Sequence, residues 1–437
     1  MSETSGRLPL TAPARTVLGF GPLALLILAQ LSAASDRFLI TLVTTPVKQA
    51  LGLSDAQLGL LHGSAFVILY ALTMPLIGSL ADRGDHRQIL LASIGLWTLA
   101  TLGFGLAGSF AVLFLSRLAL GLGQAGLVPA SLSLIAHGSA QGRMARNVSL
   151  FTAGGSLGQS FALLAGGAIL AWLVLRGGLA CPGLGPLPPW RALFLLACLP
   201  NLALILGAVA VRLPRAPPAA RAGLKPAWTW ILRRRRIYLP HFAAAACAVL
   251  MGRTLAAWGP TLYVRDHGMS PAESGMVLGG LLLIGGPLGH LSAGLLLDRV
   301  ARARRRAAAS RLLGFGLMAA LPPAIVMAVA SDRTLSLAAF TLLTAVIGFT
   351  APPAVAGVQF LTPVSLRGRV SALFVAAVTL TASGTGPPLL GLLADTVFGA
   401  EHLGRALMVL YGLVGVPGIL LAFRAARMGR PLTGAGR

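Results

Sequence analysis

Charge is what this chain has least of. Only 11% of its 437 residues are charged, against roughly 25% in a soluble globular domain. Acids are the scarcest, 11 in all, and of the 35 basic residues only Lys48 and Lys225 are lysine. Neither lysine stands in a Gly-x-x-x-x-Gly-Lys-Ser/Thr run, which excludes a P-loop and direct use of ATP. Cys181, Cys198 and Cys247 lack metal or redox spacing, and no His/Glu cluster or Ser/His/Asp grouping marks a catalytic centre. The expectation is therefore no enzyme, no metal and no cofactor. What fills the chain is apolar: 56% of the residues, with a mean hydropathy of +0.82. So much apolar sequence cannot be hidden in a water-soluble core, and the protein belongs in a membrane.

Twelve apolar stretches are long enough to cross a bilayer as helices: 18–43, 57–81, 88–107, 109–137, 146–174, 191–211, 238–263, 272–297, 307–330, 334–360, 370–394 and 403–423. They do not alternate as barrel strands do, so the expected fold is all-α, a membrane protein of 12 transmembrane helices. An even number of spans puts both termini on one side. That side holds 26 of the 35 basic residues and the other six, which makes it cytoplasmic by the positive-inside rule. The net charge of +24 is thus topology, and nucleic acid is excluded as a partner. Residues 1–17 read as a cytoplasmic tail rather than a cleavable signal. The rest divides into a six-helix bundle at 18–211, a basic linker at 212–236, a second bundle at 237–424 and a tail at 425–437.

The division rests on an internal repeat. Ser54-x-Ala56-x-x-Gly59 recurs as Ser270-x-Ala272-x-x-Gly275, and Gly78-x-Leu80-x-Asp82-Arg83 recurs as Gly294-x-Leu296-x-Asp298-Arg299, all offset by 216 residues. Gly52/Gly268 and Arg37/Arg253 share the offset. Asp82 and Asp298 each lie at a helix C-terminus, where a carboxylate opposes the macrodipole and gains by facing another helix start or an arginine. Gly78 and Gly294, one turn earlier, permit close helix approach. Gly78, Asp82, Arg83, Gly294, Asp298 and Arg299 therefore read as a conformational latch.

Twelve spans in two homologous halves with this loop motif resemble the major facilitator superfamily, whose fold is two six-helix bundles. The resemblance implies that the latch contacts the eleventh span, here near Arg369. A narrower resemblance is to the spinster-like branch, which includes sphingolipid and lysolipid transporters. It rests on Asp36-Arg37, on Leu51 to Gly59, on Asp82-Arg83-Gly84-Asp85-His86-Arg87, on Trp258-Gly259-Pro260, and on Gly384-Thr385-Gly386-Pro387 followed by Asp395, Phe398 and Gly399. Arg117-x-x-x-Gly121-x-Gly123-x-Ala125 resembles the fourth-span motif whose arginine takes part in proton coupling.

Asp36 is the only acid deep within a span, at a cost of about 2.5–3.5 kcal/mol on insertion scales, so it should face a cavity or a partner. The expected partner is Arg117 or Arg37, either as a protonation switch or as a fixed ion pair. Where the branch carries a glutamate, this chain has Gln124, which keeps a polar cavity but removes a titrating site. Further cavity candidates are His62, Arg253, Gln30, Gln159 and Gln359, with His290 as a second intramembrane histidine. Trp258 and Tyr263 are expected as interface anchors, and Gly384, Gly386, Pro387 and Pro388 as a hinge.

Together these features imply a secondary transporter working by alternating access. It would reside as a monomer in the inner membrane, with proton coupling and an amphipathic, anionic, lysolipid-like small molecule as solute. The alternatives are a multidrug or metabolite efflux transporter or a facilitative uniporter, and a membrane sensor. The basic loop clusters add an attraction to anionic membrane lipid.

Overall fold

The computed structural model describes residues 18–81, 86–140, 143–211, 213, 223–300, 305–399 and 401–428. Among these, twelve helices are long and apolar enough to span a bilayer. Spans 1–6 are Phe20–Leu42, Asp55–Gly78, His86–Gly105, Phe110–Gly138, Arg146–Leu175 and Pro189–Ala210. Spans 7–12 are Arg235–Asp266, Pro271–Asp298, Ala307–Val329, Arg333–Leu361, Val364–Phe398 and Leu403–Met428.

Their packing repeats. Span 1 lies on span 5, span 2 on span 4, and span 3 on spans 4 and 6; span 7 lies on span 11, span 8 on span 10, and span 9 on spans 10 and 12. Between the halves, span 2 packs on span 11 and span 5 on span 8, pairs that exchange under the same six-span shift. The repeat is built into the backbone too. Gly52 and Gly268 adopt φ of 63° and 64°, a left-handed turn that favours glycine. The serines that follow, Ser54 and Ser270, each cap the next helix by accepting from a backbone N–H at 3.1 Å.

Three features differ from expectation. A short antiparallel hairpin, Leu179–Cys181 with Gly185–Leu187, joins spans 5 and 6, so the fold is all-α only within its spans. Positive-φ glycines at Gly183 and Gly185 make its turn. The range assigned to the linker contains a helix, Lys225–Arg233, and the start of span 7 at Arg235, while span 12 continues to Met428, inside the range assigned to the tail. Trp258 and Tyr263 are buried rather than at an interface: Trp258 Nε1 donates to the Pro387 carbonyl at 3.1 Å, and Tyr263 Oη accepts from Ser336.

Candidate functional site

The site is built where spans are broken. Span 1 is α-helical over Phe20–Phe38 and tightens to a 3-10 turn at Leu39–Leu42. Span 2 is interrupted at Gly63, between helices Asp55–His62 and Ser64–Ala81. Span 4 is interrupted between Gln124 and Leu127. A break within lipid depth frees carbonyls that neighbouring side chains must satisfy. Arg117 does this for two spans at once, donating from Nε to the Leu61 carbonyl (2.9 Å) and from Nη2 to the Arg37 carbonyl (3.1 Å).

The expected ion pair between Asp36 and an arginine is not formed. Asp36 Oδ2 accepts from Asn201 Nδ2 in span 6 (2.6 Å) and Thr101 Oγ1 in span 3 (3.2 Å). Arg37, about 100° further round the helix, turns to the other side. Its Nε and Nη2 donate to Gln124 Oε1 at 3.3 and 2.9 Å, and its guanidinium lies 4.5 Å from the Phe66 ring centroid. The Gln124 amide in turn donates to the Ala33 carbonyl (2.8 Å). Neither charge finds the other because each is already held by neutral groups.

Arg37 and Arg253, equivalent positions of the two halves, line one small pocket together with His62, Phe66 and Tyr70. No acid lines it. His62 lies 3.0 Å from Thr44 Oγ1 and stacks at a tilt on Trp258, 5.6 Å between centroids. Arg253 also borders a larger cavity of about 280 Å³, otherwise mostly apolar, where Gln159 and His290 are the remaining polar side chains of note. Two candidates lie apart from both. Gln30 packs against Gly154 and Gly155 of span 5, and Gln359 donates to Ser371 Oγ at 3.0 Å, tying span 10 to span 11.

The halves meet tightly at the end far from the termini, through residues to which the sequence analysis assigned no role, although Asp55 and Asp395 carry part of the resemblance. Asp55 is fully buried and accepts from Lys48 Nζ (2.6 Å) and, in a bidentate pair, from Arg265 of the opposite half (2.7 and 2.8 Å). Asp395, also from the opposite half, accepts the backbone N–H groups of Asp55 and Ala56 at 2.9 and 2.7 Å. A carboxylate facing a helix start is favourably placed against the macrodipole. The signal was in the repeat: where the second half has Pro271, the first has Asp55.

The expected hinge in span 11 is part of this contact. Its helix is unbroken over Arg367–Leu393. Proline at i lacks the N–H that would bond the carbonyl at i−4, so Pro387 and Pro388 leave the carbonyls of Ser383 and Gly384 available. Ser64 Oγ donates to the Gly384 carbonyl at 2.6 Å. Gly63 lies so close to the Ser383 carbonyl that a Cβ would overlap it, and a Cβ on Gly59 would come 2.7 Å from Pro388 Cα. Gly386 is pressed on Leu250 and Thr254 of span 7, whereas Gly384 is looser, with Val67 3.6 Å away. Facing this proline pair, span 2 is itself interrupted at Gly63.

The latch at the other end is in a different condition. Asp82 and Arg83 lie outside the described residues. Asp298 and Arg299 are exposed. Among the described residues nothing lies within 4 Å of a Cβ on Gly294, and the nearest atom to a Cβ on Gly78 is 3.8 Å away on Pro129, so neither glycine marks a tight crossing among them.

Comparison with known proteins agrees with this architecture. Residues 25–382 match the family model described as Major Facilitator Superfamily. An MFS-type efflux pump of Mycolicibacterium smegmatis is 29% identical over 401 residues, 90% of this chain and 89% of that protein. A 3-(3-hydroxy-phenyl)propionate transporter of Escherichia coli is 28% identical over 72% of this chain and 73% of its own length. Among solved structures, a bacterial homologue of the human lysosomal transporter spinster, in an inward-facing and unoccupied conformation, superposes with a TM-score of 0.80 at 21% identity. That superposition covers 94% of this chain and 98% of the homologue.

Proposed function

Because the chain belongs to the major facilitator superfamily, we propose that it is a secondary transporter of an amphipathic organic anion, closed at the far end in this structure and working by alternating access as a monomer. With the basic loops on the cytoplasmic side of an inner membrane, this is the inward-facing state. The observation that carries the anion is the convergence of Arg37 and Arg253 on one pocket that no acid lines. Gln124 matters here. A glutamate in its place would neutralise Arg37, whereas the amide solvates the guanidinium and leaves its charge for the solute. The cavity of about 280 Å³ beside Arg253 would receive the apolar part. The named solute of the E. coli relative, a hydroxyphenylpropionate, combines a carboxylate with an apolar ring. The mycobacterial efflux pump favours export as the direction.

Thermal-shift titration of purified protein with lysolipids, organic anions and drug cations tests the solute class. Anions should stabilise. Arg253→Met and Gln124→Glu should each weaken anion binding by about 2 kcal/mol or more, roughly 30-fold in Kd. Stabilisation by cations alone would overturn the reading.

Proton linkage we assign to Asp36. Its ionised form accepts from spans 3 and 6, and protonation would loosen that tie. Asp36→Asn should retain the hydrogen-bonding shape while transport in proteoliposomes loses its dependence on a pH gradient. Unchanged dependence would place the coupling elsewhere.

A further inference from the structure

Asp36 and Arg37 are neighbours in sequence but serve opposite sides of span 1. Arg37 faces the pocket between the halves, while Asp36 lines a separate crevice of about 570 Å³ formed by spans 1, 5 and 6. The crevice follows span 1 from Gly21 to Leu39, about 27 Å at 1.5 Å per residue. Its walls are aliphatic and aromatic, including Leu28, Phe161, Ile169 and Leu196. Leu28, Phe161 and Ile169 are exposed on the outer surface of the bundle, so the crevice opens toward lipid rather than toward the pocket between the halves.

Among the described residues that line this apolar channel Asp36 is the one ionisable side chain, and it is only 3% exposed. Ser32 donates to Asn201 Oδ1 at 2.7 Å, which orients the amide so that its Nδ2 donates to Asp36. Both donors to the carboxylate, Asn201 and Thr101, converge on Oδ2. Oδ1 receives no hydrogen bond among the described residues, and the nearby Arg117 is engaged with two backbone carbonyls. A carboxylate in hydrocarbon with half its acceptor capacity unused calls for a donor, and a cationic one matches it best.

We propose that the crevice between spans 1, 5 and 6 is a second amphiphile site, which takes a single-chain lipophilic amine from the bilayer with its ammonium on Asp36 and its alkyl chain along spans 5 and 6. The site has the opposite head-group preference to the pocket at Arg37 and Arg253 and does not depend on it. Ionised Asp36 accepts an ammonium N–H at Oδ1 while Asn201 and Thr101 keep Oδ2. The chain then runs toward Gly21, along a wall on which none of the described lining residues is basic.

The test uses the full chain in nanodiscs and a C18 primary amine carrying a diazirine on its alkyl chain. Photolabelled peptides are mapped by mass spectrometry. The label should fall on spans 1, 5 and 6 around Phe161, Ile169 and Leu196. Unlabelled oleylamine should compete, and oleic acid and oleyl alcohol should not. Asp36→Asn should reduce labelling at these positions at least tenfold. Ala197→Phe, which adds bulk to the crevice and leaves Asp36 itself in place, should do the same in protein that still elutes as a single symmetrical species. Equal competition by the acid or the alcohol, or labelling that survives either substitution, would mean a groove that merely holds bulk lipid and would overturn the proposal. Labelling at Arg253 and Phe340 instead would assign the amine to the central cavity and overturn it equally.

Discussion

Asp55→Asn is expected to unfasten the far end of the protein. The substitution removes a buried carboxylate from between Lys48 and Arg265, and an amide cannot accept the bidentate pair that Arg265 makes. Breaking a buried ion pair by removing one partner costs about 3–5 kcal/mol, and 3 kcal/mol is roughly a 100-fold change in an equilibrium constant. The share of this cost that comes from Arg265 falls on the closed conformation alone, because Lys48 and Asp55 belong to one half and Arg265 to the other. The measurement is the labelling rate of Ser383→Cys by an impermeant maleimide added from the side opposite the termini, with the three native cysteines replaced by serine. Labelling should accelerate at least tenfold in Asp55→Asn. An unchanged rate would mean that the contact follows closure rather than maintaining it.

Gly391→Ala should block the same closure by bulk instead of charge. A Cβ at Gly391 would overlap the Asp55 carbonyl and stand 3.0 Å from the Ala56 nitrogen, both backbone atoms with no rotamer to yield. Overpacking of this kind costs about 1–3 kcal/mol or more, so the closed population should fall by roughly 5- to 150-fold. Yet the residue is in a helix interior, where alanine is favoured over glycine by about 1 kcal/mol. The two effects separate cleanly. The Tm of the detergent-solubilised protein should hold or rise, while maleimide labelling of Ser383→Cys should accelerate as it does for Asp55→Asn. A lowered Tm without faster labelling would show a local packing fault rather than an obstructed gate.

How much of this was visible in the sequence depends on which interactions leave a local mark. The spans did, because a helix in lipid must satisfy its backbone internally and so appears as one continuous apolar run. The two halves did, through the 216-residue offset, down to the left-handed glycines Gly52 and Gly268. Arg37 and Arg253 were legible for the same reason, and the structure brings them to one pocket. Asp36 was legible as a residue but not as a contact. Its partner Asn201 is 165 positions away and carries no charge to attract notice. The latch glycines were read as crossing points, but among the described residues Gly294 meets nothing and Gly78 only Pro129. Tight crossings lie at other glycines, among them Gly59, Gly63 and Gly391 at the opposite end and Gly121 and Gly289 within the two halves. The prolines of span 11 were read as a bend. The structure adds that they leave carbonyls which span 2 approaches, a contact between residues 320 positions apart that no local pattern marks.

Arg117 has a mechanical consequence. A single guanidinium closes the open backbone of span 1 and of span 2, so the two bends share one rivet. Neither span can regain a regular helix without taking back the carbonyl that Arg117 holds, which would leave this buried guanidinium short of an acceptor, and that penalty couples their angles. Any rocking motion must therefore move the upper parts of both spans as one lever. The play left in the cycle belongs to the surfaces between the halves and not to the joint itself.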